Sequence, residues 1–162
     1  MTRIATLATL LMLCGAPALA QGTNIAFGGL KHDTSQPVEV ASDSLSIDQA
    51  DGSAEFSGNV LITQGEMRLS AGAVRVVYAP GGAGQISEMR ATGGVTLVNG
   101  AEAAEAREAI YSIDKGTVVM TGDVLLTQGQ NALSSNTLTI NLAAGTGILE
   151  GRVRTVFQTG GN

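Results

Sequence analysis

The chain has 162 residues, of which 44% are hydrophobic, 14% charged and 3% aromatic. Its charged share is low against the usual value of about 25%, and its 22 glycines follow no Gly-X-Y period, which excludes collagen. The formal net charge is −5, without clustered Lys and Arg to neutralise phosphates, so the composition predicts no nucleic-acid partner. One histidine and one cysteine exclude most metal and nucleophile chemistry. The length suits a single domain with a core of its own.

Residues 1–20 are typical of a cleavable export signal. A basic residue near the start precedes an apolar run from Ile4 to Cys14, which is too short to span a membrane, and Ala18-Leu19-Ala20 fits the small-x-small cleavage rule. A lipoprotein acylated at Cys14 is the alternative, but Leu13 stands where such signals carry a small residue. Cleavage after Ala20 leaves a chain without cysteine. The sequence therefore predicts an exported protein without disulfides.

One short segment recurs along the chain. Gly58 to Gly65 (GNVLITQG) returns nearly unchanged as Gly122 to Gly129 (GDVLLTQG), Gly93 to Gly100 (GGVTLVNG) is a looser copy, and Gly151 begins a fourth. The copies begin about 30 residues apart, and repetition at such a period predicts a stack of units that cannot bury their apolar faces alone. We predict a flexible, Gly-rich lead-in over 21–36, the folded domain over 37–158 and a tail over 159–162.

Within the repeats, apolar or small residues alternate with polar ones. Ala54 to Ile62 carries the apolar residues at even positions, and the runs ending at Leu126 and Leu142 keep that phase, which places them on one face of a sheet. Turn signals separate the runs: Asp51-Gly52, Gln64-Gly65, Asn99-Gly100, Lys115-Gly116 and Gln128-Gly129. The pattern predicts an all-β domain of about 14–16 short antiparallel strands, in which central glycines mark bends or bulges.

One segment has a conflicting propensity. Ala101 to Ala109 (AEAAEAREA) has the composition of a helix. The sequence that follows, Tyr111-Ser112-Ile113-Asp114, matches Leu45-Ser46-Ile47-Asp48 and precedes a glycine turn, so the repeat predicts a strand instead.

Three strings carry a resemblance to a known family. Val40 to Asp48 (VASDSLSID), Ala54 to Val60 (AEFSGNV) and the spacing of Gln64-Gly65, Met67 and Leu69 resemble the OstA-like family, and Ala109 to Val124 fits the same pattern. The resemblance covers Val38 to Phe157. It implies an open, twisted β-jellyroll whose interior holds the acyl chains of lipopolysaccharide. It also implies a periplasmic bridge between the inner-membrane and outer-membrane components of the lipopolysaccharide-transport system.

The alternation and the resemblance together select the candidate site residues. The predicted lipid-binding groove consists of Phe56, Val60, Ile62, Leu69, Val74, Val76, Val95, Leu97, Met120, Val124, Leu126, Leu138 and Ile140. Such a stripe is in most sheets a closed core, and the resemblance is what favours a lipid slot. The first and last runs are the predicted edges for partners and for head-to-tail self-association, through Val38, Val40, Leu45, Val153, Thr155 and Phe157.

No residue pattern indicates catalysis, a metal site or a cofactor. His32 lies in the lead-in, and Pro80 to Gly84 lacks the Lys-Ser/Thr and helix start of a phosphate loop. The acidic residues Asp43, Asp48, Asp51 and Asp123 lie beside turns, where Asp is common. A periplasmic β-scaffold or adaptor that binds no lipid is the alternative function. A secreted carbohydrate-active enzyme is disfavoured by the scarce aromatic residues and by the lack of evident acid pairs.

Overall fold

The computed structural model describes residues 23–26, 33–48, 52–79, 81 and 84–157, and these ranges contain strands and turns but no helix. The predicted signal with Cys14, His32 and the predicted tail lie outside the described residues. The strands are β1 (Thr23–Ala26), β2 (Glu39–Ala41), β3 (Ser44–Asp48), β4 (Ser53–Gln64), β5 (Met67–Tyr78), β6 (Ile86–Thr92), β7 (Val95–Asn99), β8 (Glu102–Ala106), β9 (Glu108–Ser112), β10 (Thr117–Gln128), β11 (Asn131–Asn141), β12 (Thr146–Glu150) and β13 (Arg154–Val156).

These strands form one antiparallel sheet that folds into two half-sheets. The long strands β4, β5, β10 and β11 run through both halves. The first half-sheet has the order β2-β4-β5-β7-β8-β10-β11-β13. The second has the order β3-β4-β5-β6-β9-β10-β11-β12-β1. The all-β, twisted jellyroll predicted from the sequence is confirmed.

The repeated glycines mark the line along which the sheet folds. Every second run bends at a dipeptide in which both residues have positive φ, between 46° and 84°: Gly58-Asn59, Gly93-Gly94, Gly122-Asp123 and Gly151-Arg152. The register shifts between Ser57 and Val60, and again between Thr121 and Val124, which confirms the predicted bulges. We call this row of bends the fold line.

The neighbouring run packs tightly against each of these bends. The N–H groups of Asp43, Arg107 and Asn136 donate to the carbonyls of Gly58, Gly122 and Gly151 over 2.8–3.0 Å. A Cβ added at Gly122 would lie 3.0 Å from the Cβ of Arg107, and the φ of 84° disfavours any residue with a Cβ, so a larger residue would be strained there. The repeat unit is therefore a pair of runs, one with a Gly-X bend and one that packs against it.

The inner faces of the half-sheets form one apolar core. Ile62, Leu97 and Leu126 on the first half-sheet, and Met120 and Leu138 on the second, are at most 1% exposed and belong to the same cluster. Alternation produces this arrangement because inward and outward side chains alternate along each strand. The core thus fills the space between the half-sheets.

The structure tests the sequence predictions for two segments, residues 101–109 and residues 23–26. Ala101 to Ala109 forms β8 and the start of β9, which confirms the strand predicted against its helical propensity. Thr23–Ala26 also forms a strand, β1, which pairs with β12 from Thr146 to Leu149. This strand differs from the flexible lead-in predicted there, because edge pairing orders a segment that has no apolar periodicity of its own.

Candidate functional site

The structure brings the predicted groove residues together between the half-sheets. All of them are buried except Phe56, which is half-buried and packs against the same cluster. The side chains contact one another, so the interior is filled by the protein itself. An acyl chain could enter only if the half-sheets moved apart.

Several buried residues of this interior were not selected from the sequence. The largest are Met67, Met89 and Tyr111, each at most 1% exposed. Met67 is the first residue of β5, directly after a hairpin turn, and Met89 lies in β6, where apolar and polar residues do not alternate regularly. The alternation pattern therefore did not identify either residue as inward-facing. Val118 continues the even-numbered phase of β10, and that phase was the available signal for it.

The half-sheets meet again on the side opposite the fold line, where their hairpin turns face each other. The Tyr111 hydroxyl, from the second half-sheet, donates to Gln64 Oε1 of the first over 2.7 Å. Gln64 Nε2 donates to the main-chain carbonyls of Thr34 and Gln36 at 3.0 and 2.8 Å. An added Cβ on Gly116, in the turn after β9, would lie 3.5 Å from Thr34. We call this side the seam, and residues 33–36 the strap that lies across it.

Among the titratable groups that the structure describes, Tyr111 has a displaced pKa. Burial raises the pKa of its phenol, because an ionised phenolate would be poorly solvated there. The group therefore stays neutral and can donate its hydrogen to Gln64. A buried polar contact at this position holds the two sides of the seam together.

The first half-sheet borders the seam with polar side chains. The residues that flank its hairpin turns face inward as the pairs Gln64·Met67, Asn99·Glu102 and Gln128·Asn131. One step deeper, the corresponding pairs are apolar: Ile62·Leu69, Leu97·Ala104 and Leu126·Leu133. We call Gln64, Asn99, Glu102, Gln128 and Asn131 the polar rim. Sequence reasoning assigned none of these residues to the site: Gln64, Asn99 and Gln128 served as turn signals, although they keep the inward phase of their strands.

The opposite border of the seam is apolar. The inward residues near its turns include Val76, Met89, Val118 and Leu142, all at most 1% exposed. The seam therefore has one polar and one apolar side. A molecule with an apolar tail and a polar junction matches this arrangement.

Two depressions on the described surface lie elsewhere. One, of about 390 Å³, lies along the fold line around Asn59, Gly72 and Gly94. The other, of about 300 Å³, lies at the equivalent bend around Asp123 and Asn136. Neither is lined by a residue of the polar rim, so both lie at the repeated bends and away from the seam.

The predicted edges lie at the ends of the half-sheets. Strands β2 and β3 end one side of the stack, and β13 ends the first half-sheet at the other. Val38 and Val40 turn their side chains toward the core, whereas Leu45 is 51% exposed. At the opposite end, Val153 and Phe157 are exposed and Thr155 is half-buried. Strand β1, which sequence reasoning missed, covers the edge of β12.

The described residues contain no group of three or more His, Cys, Asp or Glu side chains placed to hold a metal ion. Asp43 and Asp123, two of the acidic candidates, each take part in a contact between a bend and the run packed against it: Asn59 Nδ2 donates to Asp43 at 2.8 Å, and Arg107 forms an ion pair with Asp123. Both carboxylates thus lie at the fold line, outside the interior. Across the same described ranges, no helical segment is long and apolar enough to cross a bilayer.

Comparison with known proteins agrees with this architecture. The model of the family described as LptA/(LptD N-terminal domain) LPS transport protein matches residues 39–146. An uncharacterized protein of Rhizobium meliloti (strain 1021) is 32% identical in an alignment of 152 positions that covers 88% of this chain and 82% of that protein. Lipopolysaccharide export system protein LptA of Escherichia coli (strain K12) is 31% identical in an alignment of 113 positions that covers 66% of this chain and 60% of LptA.

A solved structure shares the fold. LptH of Pseudomonas aeruginosa, the LptA-homologous periplasmic component of a lipopolysaccharide transport device, superposes with a TM-score of 0.68 at 19% identity. The match covers 78% of this chain and 98% of that one. The fold and its interior thus define an OstA-like β-jellyroll. The chain belongs to the LptA/(LptD N-terminal domain) family of LPS transport proteins.

Proposed function

We propose that this protein carries lipopolysaccharide across the periplasm, from inner-membrane to outer-membrane components of the transport system, with the acyl chains held between its half-sheets. The observation that carries the proposal is the continuous apolar interior formed by Ile62, Leu97, Leu126 and Leu138, which borders a seam with a polar side. Membership of an LPS transport family supports the choice of lipid. The predicted export signal and the periplasmic description of LptH support the location.

The energetics of such binding rest on apolar contact. The chain is acidic, with a formal net charge of −5, so overall charge does not attract an anionic glycolipid. Each buried methylene contributes about 0.8 kcal/mol, so a chain of a dozen methylenes contributes about 10 kcal/mol before the cost of parting the half-sheets. Aliphatic inward side chains such as Val74 and Val95 can repack against a lipid chain without leaving polar groups unpaired.

The ends of the stack are the proposed contacts to partners. Leu45 and Ile47 are 51% and 67% exposed at one end, and Val156 and Phe157 are 56% and 69% exposed at the other. Edge strands carry unpaired main-chain groups that accept a further strand. Pairing one end with the other makes a heterologous contact, so copies add head to tail. The same edges would meet the membrane components.

One observation favours a second candidate, a periplasmic scaffold or adaptor that binds no lipid. Met120, Leu126 and Leu138 are fully shielded by neighbouring side chains, as in an ordinary closed core. Either function is non-catalytic, and we propose that the protein needs neither metal nor cofactor. The two candidates differ in whether the interior ever contacts a lipid.

In-cell photo-crosslinking separates them. A photoreactive residue at Leu126 or Ile62 reports on the interior, while the neighbouring Leu125 and Leu61 point outward and serve as controls because they are 40% and 37% exposed. The lipid-carrier proposal expects lipopolysaccharide adducts from the inward positions and few from the outward ones. Equal yields from both faces, or no adducts from any position in a folded variant, would contradict it.

A further inference from the structure

Glu102 is a buried acid whose hydrogen bonding is incomplete. Its side chain belongs to the polar rim and the residue is 5% exposed. Glu102 Oε1 accepts a hydrogen bond from Gln128 Nε2 at 2.7 Å. Glu102 Oε2 is shielded from solvent and has no hydrogen-bond partner. Buried polar atoms are nearly always paired, so this oxygen requires an explanation.

Glu102 lies at the boundary between the rim and the apolar interior. In the sheet it stands opposite Asn99 on one side and Gln128 on the other. The next inward residue of its strand is Ala104, which is opposite Leu97 and Leu126. Alanine is the smallest side chain of that layer, and Ala104 separates Glu102 from the apolar cluster by the shortest side chain.

The rest of the rim does not share this property. Gln64, the rim residue at the end of β4, uses its oxygen for Tyr111 and its nitrogen for the strap. In the described part of the chain, Glu102 Oε2 is the buried side-chain polar atom that lacks a partner. The unpaired group is a single acceptor oxygen, next to the apolar interior and at the border of the seam.

We propose that Glu102, positioned by Gln128, receives a hydrogen-bond donor that the lipid carries where its acyl chain joins the headgroup. The inference rests on the proposed function, in which chains enter through the seam and leave the headgroup outside. The atoms linking chain to headgroup then lie at the rim. An ionised carboxylate only accepts hydrogen bonds, so it selects a hydroxyl or an amide N–H at that point.

This chemistry separates two classes of lipid. The ester linkage of a glycerophospholipid offers only acceptors, and it would leave Glu102 Oε2 buried and unpaired. An amide-linked or hydroxylated acyl chain supplies the missing donor. A site that buries an unpaired polar group with one ligand and satisfies it with another discriminates strongly between them. Glu102 is thus a specificity-determining residue against the abundant lipids of the membrane.

Two probes with the same ring configuration and chain length, one joined through an amide and the other through an ester, test the proposal. One is glucosamine N-acylated with a 3-hydroxy C12 chain, and the other is glucose esterified with a plain C12 chain. Their dissociation constants are measured on the purified mature protein. Wild type should prefer the donor-bearing probe by about tenfold to a hundredfold, the range expected for one hydrogen bond to a charged group. Glu102→Leu should reduce the preference to below about threefold.

Glu105→Leu is the matched control, because Glu105 lies in the same strand and is exposed. It should keep the preference of the wild type. If Glu102→Leu fails to fold, Glu102→Gln, which keeps the shape and one acceptor, should still weaken the preference. An unchanged preference in a folded Glu102 variant, with both probes bound, overturns this inference and leaves the proposed function standing. Failure of wild type to bind either probe or lipopolysaccharide overturns both.

Discussion

The hydrogen bond between Tyr111 and Gln64 ties the two sides of the seam, and Tyr111→Phe removes it without removing carbon atoms. The Tyr111 hydroxyl lies 2.7 Å from Gln64 Oε1, and the two residues are each 1% exposed. The substitution leaves a buried acceptor without its donor. Such a loss lowers the free energy of unfolding by about 1–3 kcal/mol.

Chemical denaturation measures this change. For a denaturant slope of about 2 kcal/mol per molar urea, a loss of 2 kcal/mol lowers the unfolding midpoint by about 1 M, with the slope unchanged. Tyr78→Phe is the matched control because Tyr78 is 36% exposed, and its midpoint should move by less than about 0.25 M.

Wild type and Tyr111→Phe should also differ in how their free energy of unfolding depends on pH. Burial raises the pKa of Tyr111 above its ordinary value. In the unfolded chain the phenol ionises near pH 10, so its contribution to stability is complete below about pH 10 and falls as the pH rises toward the folded pKa. As the pH rises above about 10, Tyr111→Phe should therefore lose less stability than wild type. A midpoint that stays within 0.2 M of wild type, together with an unchanged alkaline profile, would refute the role of the contact.

The other predictions use neighbouring residues as controls. In urea unfolding, Gly122→Ala should lower the free energy of unfolding by about 2 kcal/mol more than Gly129→Ala does. The reason is that a Cβ at Gly122 would meet the neighbouring run, whereas a Cβ at Gly129 would have nothing within 4 Å. Leu126→Asp puts an unpaired charge in the interior and should abolish lipid binding, measured on folded protein, whereas exposed Thr127→Asp should bind as wild type; equal binding would contradict the assigned faces. Thr155→Pro removes a main-chain donor from β13 and should reduce both self-association, followed by light scattering, and partner binding; unchanged partner binding would exclude this edge.

The fold could be predicted from the sequence because its signals are local and repeated. Alternation from Ala54 to Ile62 sets the inward face, and the glycines after Gln64, Asn99 and Gln128 set the turns. Repetition was strong enough to override the helical propensity of 101–109. The described residues form 13 strands, fewer than the predicted 14–16. The difference arises because β4, β5, β10 and β11 each cross the fold line as one continuous strand instead of dividing into two.

The site was predictable only in part, because its remaining features depend on contacts between distant segments. Alternation identifies Ile62 and Leu126 as inward residues, but it does not show that the half-sheets close on each other. The contact of Gln64 with Tyr111 joins positions 47 residues apart, and that of Gln64 with Thr34 joins positions 30 apart. The pairing of β1 with β12 likewise depends on an edge that forms only when the domain folds. No local pattern encodes such contacts.

The proposed stacking and the proposed lipid transfer would both depend on one property of the architecture. The apolar interior extends from Val40 in the first strand of one half-sheet to Leu149 in β12, near the far end of the other. Strand pairing at the ends would extend each half-sheet into the next copy and bring the two interiors into line. A lipid chain could then pass between copies while it stays in apolar surroundings and its junction stays at the polar rim. We therefore expect changes at the edges to affect transfer between copies, and changes at Glu102 to affect which lipid is accepted.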